Sequence, residues 1–355
     1  MTTGPAPSFR TGDLRRLGRY SFRLADEPGG RPTRLVLASG PRGVQGAARL
    51  RRSVALRRLV GRSHPLARAL GRVHYDGTVV VDGVAYYGAI FDFQPGRDLT
   101  SMAQVGALGR DPVGVATLAA DIGSSLAALH AIRPVQLGVP VPGGDRGAEP
   151  WAGHIRHWIG VLARMSQSAP PQVSVGGVVS RDVHAVLRHL AKRVDALHAA
   201  GFGRFDLALI HNDAHGGNFL GSGGGRVRLT GMVDERLRCG DGLFDLAALT
   251  DWAIEVFPWE ACGSFTEALV KGYGREDLGG AAMSRLWIYH VERSLGRLAY
   301  YLPEPPEERS RLVAAHRPQL SRHLRLLECV VSDEGARAPA VWPWVACRDK
   351  EEDGA

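Results

Sequence analysis

The sequence predicts an α+β fold in two lobes: a small, β-rich N-terminal lobe followed by a larger, mainly α-helical C-terminal one. Three observations carry that expectation. Short apolar runs broken by turn residues fill residues 20–93, helical periodicity dominates from residue 113 onward, and 355 residues are enough to bury the cores of two packed units.

In chain order, 20–25 and 33–39 are apolar runs separated by the turn-forming stretch 26–32, which reads as a hairpin. Over 44–60 small and apolar residues recur at three- and four-residue steps. Arg49, Arg51, Arg52, Arg57 and Arg58 lie on or beside the other face, so this is an amphipathic helix whose basic side reads as solvated surface. Runs 73–81 and 84–93 flank Asp82-Gly83, a second hairpin. Gln94-Pro95-Gly96-Arg97 then breaks the pattern. Helices are expected over 113–132, 151–165, 182–200, 262–273, 281–301 and 307–330. Among them lies a short β insertion, 207–210 and 226–233, joined by a loop holding Gly221, Gly223, Gly224 and Gly225. The expected division is an N-terminal lobe over 1–94, a helical lobe over 95–330, and a polar tail over 331–355 whose Trp342 and Trp344 pack onto the second lobe.

The formal charge of +8 is unevenly placed: residues 1–100 hold 17 Arg against 7 acids, or +10, which leaves −2 for the rest. Such a region attracts anionic partners in general, from nucleotide phosphates to an acidic peptide. No nucleic-acid recognition motif accompanies it, so nucleic acid is not an expected partner. The four cysteines, Cys239, Cys262, Cys329 and Cys347, form no CxxC pair, which fits a reducing cytoplasm. The Arg-rich N-terminus has no apolar signal core, and no membrane segment is expected.

The chemistry concentrates in His211-Asn212-Asp213-Ala214-His215-Gly216-Gly217-Asn218, after an apolar strand, and in Asp234 at the end of the next apolar run. Phosphoryl transfer needs this set of groups: one carboxylate to orient the attacking hydroxyl and take its proton, and an amide oxygen and a second carboxylate to hold magnesium at the nucleotide phosphates. Asp213 is the expected base, and Asn218 and Asp234 the expected metal ligands.

These residues resemble the aminoglycoside phosphotransferases, the choline-kinase-like or phosphotransferase-enzyme group, which share the protein-kinase fold. The likeness rests on His211, Asp213, His215, Asn218 and Asp234, on Gly240-Asp241-Gly242-Leu243-Phe244-Asp245-Leu246-Ala247, on Leu126-Ala127-Ala128-Leu129-His130, and on Phe93-Gln94-Pro95-Gly96-Arg97-Asp98-Leu99. It spans about residues 20–300 and implies a nucleotide-binding first lobe, with ATP or GTP and Mg2+ as cofactors. It also implies structural roles for His130, His211, His215 and Asp241, and a hydrogen bond from the catalytic-loop backbone to Asp245. Where that family has a strand lysine paired with a helix glutamate, this chain has Ala38, with no Lys before Lys192 and no Glu between Glu27 and Glu149. Arg23, Arg34 and Arg42 are the expected replacements at the nucleotide phosphates, because an arginine fork binds phosphate well. Glu235 also stands where the family has Trp.

The function so implied is ATP-dependent O-phosphorylation of a hydroxyl on a small natural product, as in antibiotic resistance or natural product biosynthesis. The basic charge argues against a polycationic acceptor, although Asp251, Glu255, Glu260 and Glu267 lie in the expected acceptor region. Two alternatives stand beside it. One is a Ser/Thr kinase of a ribosomal, lanthipeptide-like precursor, an acidic peptide docked on the Arg-rich lobe, working with a partner lyase. The other is a pseudokinase scaffold, suggested by the missing Lys–Glu pair.

Overall fold

The computed structural model describes residues 8–9, 14–16, 21–24, 34–39, 44–61, 64–104, 106, 108, 112–141, 149–167, 174–175, 178–179, 183–202, 205–223, 226–275, 278–301 and 317–331. Its N-terminal part is a six-stranded sheet with one helix against it. Strands β1 (Ser8–Phe9), β2 (Leu14–Arg16), β3 (Ser21–Leu24) and β4 (Arg34–Ser39) precede helix α1 (Val44–Leu59) and the short α2 (Ala67–Leu70). Strands β5 (Val73–Val81) and β6 (Val84–Asp92) follow. The order across the sheet is β1-β5-β6-β4-β3-β2, antiparallel except for the β1–β5 edge.

Both expected hairpins form. Ser21 lies opposite Leu37 in the first, and the second turns on Asp82 at φ 49° and Gly83 at φ 79°, left-handed angles that an Asp-Gly pair adopts readily. Strands β1 and β2 were not expected, because two and three residues are too few to show an alternation. Helix α1 buries Leu50 and Val54 against Ala89 and Phe91 of β6.

Past the 93–96 crossing come β7 (Arg97–Asp98), α3 (Leu99–Gln104) and α4 (Pro112–His130), and then α5 (Glu149–Gln167), β8 (Ser174–Val175), β9 (Val178–Val179) and α6 (Val183–Gly201). Four short strands follow: β10 (Ala208–Ile210), β11 (Phe219–Ser222), β12 (Arg228–Met232) and β13 (Arg238–Gly240). Helices α7 (Leu243–Val256), α8 (Trp259–Gly272), α9 (Gly280–Tyr301) and α10 (Arg317–Val331) complete the described chain. Residues 307–316 of the last expected helix, and Trp342 and Trp344, lie outside the described residues.

The β insertion differs from expectation. Its two expected strands do not pair with each other: β10 pairs with β13, and β12 pairs with β11, which in turn pairs with β7. Gly221 is therefore a strand residue, and a Cβ there would come within 2.7 Å of Val227 and 2.9 Å of Leu99. Close packing, not a turn, explains that glycine.

Helix α7 went unpredicted for a related reason. Every residue from Leu243 to Ile254 is buried, so the helix is covered on all sides and shows no amphipathic stripe to read. Helix α4 is the one described helix long and apolar enough to cross a membrane by length and composition, against the expectation that no stretch would qualify. Leu118, Ile122, Leu126 and Leu129 bury one face of it in the core. It also lies so close to α8 that a Cβ on Gly123 would sit 2.1 Å from the Leu269 carbonyl oxygen.

Candidate active site

The two strand ladders end side by side. Strand β10 runs into the loop 211–218, and β12 runs into the loop 233–237, which leads to β13, the partner of β10. The loops are tied together: Arg236 N donates to the His211 carbonyl at 3.0 Å and Val233 N to the Asn218 carbonyl at 2.9 Å. Each carries a non-glycine residue in the left-handed region, Asn212 at φ 64° and Asp234 at φ 58°. Asn and Asp tolerate this better than other side chains, at a cost of about 1–3 kcal/mol that the surroundings must offset.

Asp245, in the first turn of α7, holds the first loop from below. Its carboxylate accepts from His211 N at 2.6 Å and Asn212 N at 2.9 Å, and His130 Nε2 lies 3.1 Å away. Burial alone would raise the pKa of this group, but the His130 hydrogen bond and charge, with the His211 N–H, hold it below the ordinary carboxylate value. His211 is buried, donates Nε2–H to the Val233 carbonyl at 3.1 Å and stacks on Phe219. It braces the loops from inside.

His215 accepts the Gly217 N–H on Nδ1 at 3.1 Å and starts the 3-10 turn Gly216–Asn218. Burial pushes its pKa down, and the charges of Arg293, His211 and Arg297 add to that against the opposing pull of Asp213. Gly216 is required by contact: a Cβ there would lie 2.1 Å from the Trp252 ring, whose Nε1 donates to Thr100 Oγ1 at 3.0 Å.

These supports hold Asp213 and Asn218 on one loop and Asp234 on the loop hydrogen-bonded to it. Asn218 Nδ2 donates to the Asp213 carbonyl at 2.9 Å, and no partner among the described residues takes its amide oxygen. Asp213 Oδ2 lies 3.0 Å from Arg236 Nε. Asp234 Oδ1 bonds the Arg49 guanidinium, which also donates to the Asp234 carbonyl at 2.9 Å. Asp234 Oδ2 has no partner among the described residues, and 54% of that side chain is exposed. An amide oxygen and a carboxylate oxygen are hard donors of the kind magnesium takes when phosphates and water complete its shell, so the residues present fit that ion.

The basic face of α1 is not uniformly solvated, as the sequence reading had it. Arg49, Ser53 and Arg57, at four-residue spacing, face the second loop. Arg57 reaches the Glu235 carboxylate at 2.8 and 3.3 Å, and Ser53 Oγ donates to it at 3.0 Å. Arg57 Nε also donates to the Leu70 carbonyl at 2.7 Å. Glu235 is buried, which would raise its pKa, but Arg57 beside it holds it below the ordinary value. Arg51 instead lies over the Tyr87 ring and Arg58 pairs with Asp76. The roles of Arg49, Arg57, Arg236 and Glu235 were missed. The 49/53/57 spacing and an acid directly after Asp234 were the signals available.

Of the arginines expected at the nucleotide phosphates, Arg23 lies on β3 and Arg34 on β4, and their side chains lie outside the described residues, as does all of Arg42. Asp251 does not line a cleft. It is buried 3.7 Å from His290 and 3.6 Å from His323, while Glu255 pairs with His323 at 3.0 Å and Arg297 at 2.9 Å.

The family model described as "Phosphotransferase enzyme family" matches residues 15–286. Among solved structures, the GDP and kanamycin complex of APH(2")-IIia aligns over 91% of this chain and 93% of its own, at 18% identity and a TM-score of 0.52. The GDP complex of wild-type aminoglycoside 2'-phosphotransferase-IIIa aligns over 91% and 92%, at 17% identity and a TM-score of 0.52. These likenesses show the fold, the α+β protein-kinase-like one. No curated protein sequence matches the chain.

Proposed function

The chain belongs to the phosphotransferase enzyme family, and from that premise we propose that it transfers the γ-phosphoryl group of ATP or GTP to a hydroxyl of a small natural product in the cytoplasm. The observation that carries the reading is the convergence of Asp213, Asn218 and Asp234 at the ends of two adjoining strand ladders. Asp213 receives the acceptor's hydroxyl proton as the acceptor oxygen bonds to the γ-phosphorus, the bond to the β–γ bridging oxygen breaks, and the nucleoside diphosphate leaves. Asn218 and Asp234 would hold magnesium, which supplies charge neutralisation at the phosphate oxygens when bound. Asp245, His211 and His215 act one step removed, holding the loop that carries the base. The N-terminal lobe, residues 1–94, supplies the nucleotide-binding wall.

Support for a nucleotide comes from the family and from relatives whose structures were solved with GDP. One of them also holds a small molecule, kanamycin. The test is calorimetric titration of the full chain with ATP and with GTP, with and without magnesium. Magnesium-dependent binding is expected, and Asp234→Ala should weaken it at least about tenfold, a loss of ~1.4 kcal/mol. Binding of neither nucleotide under either condition would refute the reading and favour a scaffold.

A further inference from the structure

A cavity of about 280 Å³ opens beside the two carboxylates, lined among the described residues by Arg49, Arg52, Arg236 and Leu237. That is close to the ~300 Å³ at which small-molecule pockets begin, and ample for an oxyanionic group. Among the described residues neither the six-stranded sheet nor the 93–97 segment contributes to it. It lies between α1 and the second loop, at Arg236 and Leu237.

The charges around it do not cancel. Arg49 is matched by Asp234, Arg236 by Asp213 and Arg57 by Glu235. Arg52 has no acidic partner among the described residues. Arg49 and Arg52 are three residues apart on one helix, which the buried Arg57–Glu235 pair anchors to the loop. The two forks are therefore presented from a fixed support, and a planar fork matches phosphate and carboxylate oxygens.

We propose that this cavity binds an anionic group, a phosphate or a carboxylate, carried by the acceptor. The inference rests on the reading of Asp213 as the base. Arg236 is shared between the cavity and Asp213, so an anion in the cavity draws that guanidinium toward itself and frees the carboxylate to take the hydroxyl proton. A polycationic acceptor would meet three guanidiniums here.

The same oxyanion chemistry belongs to the nucleotide's own phosphates, and the experiment separates the two sources. Inorganic phosphate is titrated into the full chain by calorimetry, free and saturated with a non-hydrolysable ATP analogue and magnesium, for wild type, Arg52→Gln and Arg52→Lys. The expected result is phosphate binding that persists with the analogue, and so its γ-phosphate, bound. Arg52→Gln should weaken it about tenfold and Arg52→Lys less, while analogue affinity and the melting temperature are unchanged. Phosphate binding that disappears when the analogue is present would assign the cavity to the nucleotide and overturn the proposal. Absence of phosphate binding, or binding indifferent to Arg52→Gln, would overturn it too. Failure of the analogue itself to bind would remove the underlying phosphotransferase reading, a separate result because the phosphate titration of the free protein is read independently.

Discussion

Arg57 Nη2 and Glu235 Oε1 lie 2.8 Å apart, with only 6% and 3% of their side chains exposed, and they join the N-terminal helix α1 to the loop that carries Asp234. The helix supplies the cation and the loop the anion. Burying two charges is costly, and the pair repays it through two guanidinium contacts, the Ser53 hydroxyl and the Leu70 carbonyl.

Breaking this pair from one side should therefore cost far more than replacing it. Glu235→Leu leaves Arg57 buried without its carboxylate and should lower stability by about 3–5 kcal/mol, whereas Arg57→Met with Glu235→Leu should recover most of that loss. Urea unfolding of the two single variants and the double variant measures the coupling. A double variant no better than either single one would show that the pair is not the anchor.

Asp245 should act on rate through position. Asp245→Asn removes the charge facing His130 and puts an amide where two backbone N–H groups need acceptors. Basal hydrolysis of the nucleotide by water should fall about 10²-fold in kcat with little change in nucleotide KM, a ΔΔG‡ of ~2.7 kcal/mol. Steady-state hydrolysis assays read the split, and a KM change of the same size as the kcat change would contradict it.

Acid should destabilise the protein in a defined window. Glu235, Asp245 and Asp251 all have folded pKa values depressed by the cationic neighbours that outweigh their burial. Below the ordinary carboxylate range of about 3.9–4.3 the unfolded chain binds more protons than the folded one. The stabilisation is complete above about pH 6 and lost as pH falls through about 5 toward 3. His215 adds to it: its folded pKa is depressed by burial, so the unfolded chain takes up its proton first as pH drops below about 6.5. Urea midpoints at pH 7, 5, 4 and 3 should fall in that order, and Glu235→Gln should show a shallower slope between pH 5 and 3.

The local chemistry was legible without coordinates. Asp213, Asn218 and Asp234 stand out because a polar loop and a terminal Asp interrupt apolar strands, and both hairpins and most helices follow from periodicity and turn residues. Strand pairing was not legible, because β10 finds its partner some thirty residues away in β13 while nearer strands pair elsewhere. Helix α7 hid because a helix buried on every side carries no stripe. The arginines of α1 show the limit most clearly. The sequence by itself determined that a basic helix precedes an acidic loop by about 180 residues. Only the tertiary structure decided which arginines meet carboxylates and which meet solvent, since a helix's facing is set by what packs against it.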